Sequence, residues 1–370
     1  MKKSLIAFAI LGAFAATASA QSSVTIYGVI DAATIYTTNQ NAAGGAKAFM
    51  NAGELATSRW GFKGTEDLGG GLKANFNLEG TLANDTGAAG AGFGASSTSL
   101  FDRVSTVGLS GNFGSVNFGR QNMLGIDSVG LADPLGLAHA PSNPNVFYSA
   151  LNAPAPWFGV WGTNGGGTAL RQNNSIKYLT PMVSGFGGAA MYGFGEQAGN
   201  TSASSYAGLS AYYADGASGA AFAYAKLKDA TDSSTLTLMG GGAKYKMNAL
   251  TFKATYVQNE VDGGVSNNRK IAVIGLGVDY ALTAATTLTG AYYNTKLSGS
   301  ATGWGNGKAD QYIGMAKYAF SKRTIAYASL TYAKAGSTAA ADTLMSSNII
   351  PTGVGQSKAT RTAVGVMHSF

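Results

Sequence analysis

The sequence predicts an all-β fold, a sixteen-stranded antiparallel barrel that spans a membrane, on three observations. The first is the stretch 58–80, SRWGFKGTEDLGGGLKANFNLEG. It places Trp60, Phe62, Leu72, Ala74, Phe76 and Leu78 on one face, and Arg59, Gly61, Lys63, Lys73, Asn75, Asn77 and Glu79 on the other. A side-chain period of two marks strands, here joined by a Gly-rich connection at 65–71. Alone, this hairpin suits a soluble sandwich as well as a membrane barrel; mid-strand charges of both signs favour the wall of a water-filled lumen. The second is the rhythm of connections, short ones (65–71, 111–114, 181–185, 215–218, 281–285, 321–323) alternating with long Gly/Ser/Asn-rich ones, as in outer-membrane barrels. The third is dispersal. Hydrophobic residues make up 45% of the chain, yet beyond the N-terminus none of their runs approaches the roughly 20 residues of a spanning helix.

The first strand covers 23–37, with Val24, Ile26, Gly28 and Ile30 on one face and Thr25, Tyr27, Val29 and Asp31 on the other. A Gly/Ala/Asn-rich loop (39–53) precedes the hairpin, whose arms are strands two and three. The fourth strand, 99–110, sets Arg103 and Ser105 opposite Val104 and Thr106; the fifth comes after the turn at 111–114, with Val116 and Phe118 outward. Strict alternation puts Arg120 on that outward face too, so Gly119 is expected to turn the chain inward and make Arg120 an anchor for the long segment beyond it. From residue 122 to 172 regularity fails: Pro134, Pro141, Pro144, Pro154 and Pro156 oppose a strand. Met123, Leu124, Ile126, Val129, Leu131, Leu135 and Leu137 are too apolar for a solvated linker, so the segment is expected to pack against something.

Alternation resumes at the sixth strand (173–180, Ser175 and Lys177 inward) and the seventh, with Phe186, Ala190, Tyr192 and Phe194 on one face. Strands eight and nine (205–214 and 219–228) read with Ala-rich outward faces, and strand ten (234–247) changes phase at Gly240-Gly241-Gly242, read as a bulge. Strand eleven carries Leu250, Phe252, Ala254 and Tyr256 on one face, and strand twelve Ile274, Leu276, Val278 and Tyr280. Strands thirteen to fifteen fall near 286–297, 310–320 and 323–334. The last, 360–370, opposes Val364, Val366, His368 and Phe370 to Arg361, Gly365 and Ser369. An even number brings both ends to one side, and a barrel of this size keeps an aqueous passage that smaller ones fill with side chains.

Residues 1–20 read as a secretory signal peptide: Lys2 and Lys3, an apolar run from Leu5 to Ala16, then Ala18-Ser19-Ala20 before Gln21. That leaves 21–370 as one barrel domain. The chain has no Cys, which excludes disulfide scaffolds, thiolate metal sites and cysteine nucleophiles. Charged residues are only 12%, too few for a well-solvated soluble surface. The formal charge of +7 comes without a dense Lys/Arg block, so nucleic acid is not expected as a partner. The two histidines, His139 and His368, lack a Ser or Asp partner in sequence and are too far apart for a zinc motif. Gly303–Lys308 has neither the glycine spacing nor the Ser/Thr of a phosphate loop. No enzyme activity, metal or cofactor is expected.

The wording of 58–74, with SVTIYGVIDA (23–32), GSVNFGRQ (114–121), NNSIKY (173–178), YAFSKRT (318–324) and the terminal VGVMHSF, resembles the Gram-negative general porins, the Neisseria type in particular. The resemblance implies that the third outer loop, 122–172, folds back into the lumen and narrows it. It also implies a basic cluster on the wall, matched by Arg59 and Arg103 with Arg120 beside them, facing acids on that loop, matched by Asp127 and Asp133. Lys63, Lys73, Lys177, Asp31, Glu79 and Arg361 then line the remaining wall. Further implied are a homotrimer, lipopolysaccharide and outer-membrane lipid around it, and assembly by the barrel-assembly machinery guided by Phe370. The function implied is passive diffusion of small hydrophilic solutes and ions across the outer membrane, and the more basic lumen predicts a weak anion preference. A substrate-specific channel for a sugar or an anion stays open as an alternative, with a barrel enzyme or an adhesin more remote.

Overall fold

The computed structural model describes residues 23–89, 99–139, 142–148, 170–262, 268–300, 306–336, 352–353 and 355–370. The leader read at 1–20 lies outside them, as do Pro141, Pro154, Pro156 and Gly303. The strands are β1 (Ser23–Thr37), β2 (Lys47–Ala52), β3 (Arg59–Gly69), β4 (Leu72–Ala83), β5 (Ala88–Ala89), β6 (Val104–Gly111), β7 (Gly114–Asn122), β8 (Arg171–Leu179) and β9 (Phe186–Gly193). They continue with β10 (Tyr206–Ala214), β11 (Ser218–Lys228), β12 (Thr235–Met247), β13 (Leu250–Asp262), β14 (Arg269–Ala281), β15 (Thr286–Gly299), β16 (Gly307–Ala319), β17 (Thr324–Ala335) and β18 (Lys358–Ser369). Between β7 and β8 lie two short helices, α1 (Leu124–Gly130) and α2 (Pro144–Tyr148).

Pairing is antiparallel throughout, and β1 bonds to β18 from Val29↔Ser369 to Thr37↔Arg361, so the sheet closes on itself. Sixteen strands make the circuit, as the alternation predicts. The other two are short. β5 pairs only with the end of β4. β2 pairs with β1 over Ala32–Thr37, directly above the stretch where β3 pairs with Ser23–Val29. β2 and β3 are thus one descending line, interrupted by residues 53–58.

Closure explains the exposure pattern: one side chain of each alternating pair must face out. Val24, Ile26, Phe252, Leu276 and Val364 are exposed, as predicted for the outer face. Outward aromatics meet their neighbours, Trp60 with Phe62 at 5.4 Å and Tyr318 with Phe320 at 5.1 Å between centroids. Among the described residues no helix is long and apolar enough to cross a membrane. The β3–β4 turn is tighter than expected: pairing continues past Thr65, with a register shift between Asp67 and Gly69. Gly69, Gly70 and Gly71 all have positive φ, a conformation that glycine takes without strain.

Residues 123–139 and 142–146 line the inner wall. Met123, Leu124, Ile126, Val129 and Leu135 join one buried cluster with Tyr206, Ala223, Ala225, Leu236, Leu238 and Val257. Two expectations are corrected here. The alanines that matter on β11 (Ala221, Ala223, Ala225) face inward, where they leave room for α1. Gly240–Gly242 is not a bulge, since the β12–β13 register runs unbroken. Instead, a Cβ on Gly240 would lie 3.3 Å from Val129 and one on Gly242 2.9 Å from Ala132. The glycines hollow the wall for the loop. A break in phase does occur on β7, at Gly119–Gln121.

Candidate functional site

Where the upper ends of β3, β4 and β6 meet, the wall turns basic. Glu79 on β4 accepts a hydrogen bond from Arg103 Nε at 2.6 Å, and its other oxygen lies 3.6 Å from Arg59 Nε. Arg103 stands just before β6, not within it. Val104 pairs with Glu79, and Ser105 pairs with Leu78 on the outer face, contrary to the expected grouping of Ser105 with Arg103. The phase changes because Asp102 is tied down: it accepts from the Thr81 amide and hydroxyl at 2.7 and 2.8 Å. Arg120 rides the β7 bulge, where Gly119 has φ +120°, and donates to Asp102 O and Asn173 Oδ1. It is bonded into the wall.

A third guanidinium completes the group. Arg171, the first residue of β8, is buried, and among the described residues Nε and Nη1 have no hydrogen-bond partner. With Arg59, Arg103 and Glu79 it lines a cavity of about 410 Å³, closed on the loop side by Ile126, Leu137 and Val146. The sequence reading starts the sixth strand at residue 173 and misses Arg171. Carrying the Ser175/Lys177 alternation back four residues would have found it.

The two loop acids part company. Asp127 on α1 forms an ion pair with Lys177 at 2.7 Å and accepts from Asn122 at 2.9 Å. Asp133 does not face the passage. It is 1% exposed and accepts from the Leu135 and Leu137 amides, Asn143 and Asn145 Nδ2, and Tyr293 Oη. Asn145 Nδ2 also donates to Thr255 Oγ1 at 2.7 Å, and Gln311 Nε2 to Ser142 O at 3.0 Å. Asp133 thus fastens the loop to β15 directly and to β13 through Asn145, while Ser142 ties it to β16.

Asp31 and Arg361, read as wall charges, are likewise consumed. Asp31 accepts from the Leu55 and Ala56 amides at 2.6 and 2.7 Å and from Tyr327 Oη, which turns residues 53–58 into the barrel. The inward turn buries Glu54, an acid the sequence reading leaves out because it sits in an irregular stretch. Arg361 binds it bidentately, Nε to Oε1 at 3.0 Å and Nη2 to Oε2 at 2.6 Å. The loop joins this knot through the His139 amide, which donates to Glu54 O at 2.6 Å.

The His139 ring is 1% exposed, and among the described residues neither nitrogen has a hydrogen-bond partner. Burial holds the imidazole below its ordinary value, so it is neutral at pH 7. Burial would raise the Glu54 carboxyl, but the positive charge facing it outweighs that and holds its pKa low. That charge is chiefly Arg361 while His139 is neutral. Lys63 and Lys73 are exposed, Lys63 lying 5.1 Å over the Tyr27 ring. His368 faces outward, its Nδ1 2.9 Å from Thr324 Oγ1. Phe370 closes the barrel seam: its amide donates to Gly28 O at 3.1 Å, and its ring occupies the space a Gly28 side chain would fill. Among the described residues no cluster of His, Cys, Asp and Glu is arranged to hold a metal.

Comparison with known proteins agrees with this architecture. The model of the Gram-negative porin family matches residues 7–338. Outer membrane porin protein 32 of Delftia acidovorans is 34% identical over the full length of both chains. Major outer membrane protein P.IB of Neisseria gonorrhoeae is 27% identical over 91% of this chain and 94% of its own. Among solved structures, an anion-selective porin from Comamonas acidovorans superposes with a TM-score of 0.79 at 27% identity, covering 95% of this chain and 100% of that one. Closed barrel, basic wall and full-length similarity together place this chain in the Gram-negative porin family, as an outer-membrane channel.

Proposed function

We propose that this porin prefers anions among the small hydrophilic solutes and ions it passes. The observation that carries the reading is the ratio of charges lining the cavity at Arg171: Arg59, Arg103 and Arg171 share it with one carboxylate, Glu79. In a partly desolvated passage, fixed charges act through a lower effective dielectric than in bulk water, so a net positive ring lowers the barrier for anions and raises it for cations. Asp127 does not offset this, because Lys177 already neutralises it. The similarity to a porin described as anion-selective supports the same reading. Transit is passive, by sieving and the transverse field, with no cofactor.

In the same reading, 1–20 is a cleaved leader, the mature chain forms a homotrimer, and Phe370 is recognised by the assembly machinery. Reversal potentials across planar bilayers in a KCl gradient test the preference. We expect an anion-side value for the native protein and a shift toward the cation side for Arg171→Ala. A cation-side value for the native channel refutes the proposal.

A further inference from the structure

The inner face of β12–β16 carries positive charge that the arginine cavity does not use. Lys244 on β12 and Lys253 on β13 stand directly opposite one another. Like charges in directly opposed positions of an antiparallel pair weaken it. Lys317 on β16 completes the group, one strand beyond Asp279. Between them, Thr289 pairs with Asp279 on one side and with Met315, two residues from Lys317, on the other.

Asp279 does not balance the three lysines. Its Oδ2 lies 2.8 Å from Lys253 Nζ, and its Oδ1 accepts from Thr289 Oγ1 at 2.6 Å. Lys253 is held by the loop as well, donating to Pro134 O at 3.2 Å. Among the described residues no carboxylate lies within ion-pair distance of Lys244 or Lys317. Both are half-buried, so their charges are less screened than those of a surface lysine. Gly219 seats Lys244: a Cβ there would lie 3.1 Å from both Lys244 Cε and Leu131 Cδ2. Bare backbone at that point lets the lysine stem lie across β11 beside the loop.

The patch stands across the barrel from the arginines. Round the sheet, β9–β11 separate β8 from β12 one way, and β17, β18 and β1 separate β16 from β3 the other. It also stands nearer the short turns. Lys244 is three residues from the end of β12 and Lys317 two from the end of β16, whereas Arg171 is eight from the end of β8. At the usual rise per residue, that difference is roughly 15–20 Å along the strands.

We propose that Lys244, Lys253 and Lys317 form a second anion station, which holds small multivalent oxyanions, phosphates or dicarboxylates, between the arginine cavity and the short-turn mouth. Two ammonium groups on adjacent strands suit two anionic oxygens of one compact molecule, each taking a charge-assisted hydrogen bond. A monovalent anion leaves the opposed pair half-neutralised. The station rests on the anion preference of the channel and adds a preference for valence to it.

The test is the chloride current of single channels of the native assembly in planar bilayers, with inorganic pyrophosphate, succinate or monovalent gluconate added. Pyrophosphate and succinate should reduce the native current at concentrations where gluconate has no effect. Block by pyrophosphate alone would assign the station to phosphates, and block by succinate alone to dicarboxylates. Lys244→Gln with Lys317→Gln leaves Lys253 to hold Pro134 and Asp279, and should need at least roughly fivefold more of the blocking anion for equal block. Lys244→Arg with Lys317→Arg should keep the native block, and Asp279→Asn, which removes the competing carboxylate, should tighten it. Equal effects of all three anions on the native current overturn the station without requiring any variant to fold. Block unaltered by the two Lys→Gln changes overturns it too, as does block that survives them and disappears with Arg171→Ala. In each of these cases an anion-side reversal potential leaves the preference itself standing; a cation-side potential would refute that preference.

Discussion

Arg361 and Glu54 show how much of the lumen charge is structural. Both are buried and meet through two parallel hydrogen bonds, the strong form of the guanidinium–carboxylate pair. Removing one partner strands the other, which typically costs about 3–5 kcal/mol, whereas replacing both with apolar groups of similar size is often near neutral. Arg361→Ala should therefore lower the unfolding midpoint in urea markedly, and adding Glu54→Leu should restore much of it. A single variant as stable as the native chain would show that the pair does not hold the inward turn. The same contrast explains what the sequence conveyed at this scale. The inward side of Arg59, Lys177 and Arg361 was legible, because alternation is a local property. Whether an inward charge is free or spoken for depends on Glu54 and Asp102, which belong to other segments and to irregular backbone.

The loop carrying α1 and α2 packs against the inner wall, and two of its fastenings stand out. One is Asp133, with five donors gathered on its carboxylate. Asp133→Ala leaves those buried donors unsatisfied, each at roughly 1–3 kcal/mol. Single-channel recordings of that variant should show a larger, noisier conductance; an unchanged, quiet trace would mean the loop is held otherwise.

The other fastening joins His139 and Glu54, and its pH response comes from the directions of their shifts. Both groups have folded pKa values below their ordinary 6.5 and 4.5. As pH falls through about 6.5 the exposed form of the loop takes up a proton on His139 before the packed form does. Stability present above that pH is thus lost on acidification, and the Glu54 contribution is lost in turn below its ordinary value. Amide exchange over residues 53–58, corrected for intrinsic rates, should quicken between pH 7 and pH 5 in the native protein and not in His139→Phe. Equal quickening in both would assign the response elsewhere. From the sequence the loop was readable only as long, irregular and partly buried. Its seat was not, since Gly240 and Gly242 mean little until Val129 and Ala132 are seen against them.

At the scale of the whole molecule, one rule governs: neighbouring side chains along a strand meet different solvents. Sixteen strands, their order and nearly all their faces came from that rule applied to the sequence, because lipid outside and water inside force a period of two on every strand. Where it failed, at Arg103 and around residues 53–58, the chain was leaving or entering a strand, and hydrogen bonds from distant segments decided the direction.

The absence of cysteine makes the rule directly testable, since each introduced thiol reports one position. The decisive measurement is single-channel current before and after a charged, membrane-impermeant thiol reagent, on Lys63→Cys and Asn77→Cys for the lumen and on Phe76→Cys and Leu276→Cys for the outer face. The first pair should react and step the current, and the second should leave it untouched. Current steps from Phe76→Cys or Leu276→Cys, or silence from both lumen positions, would contradict the barrel described above.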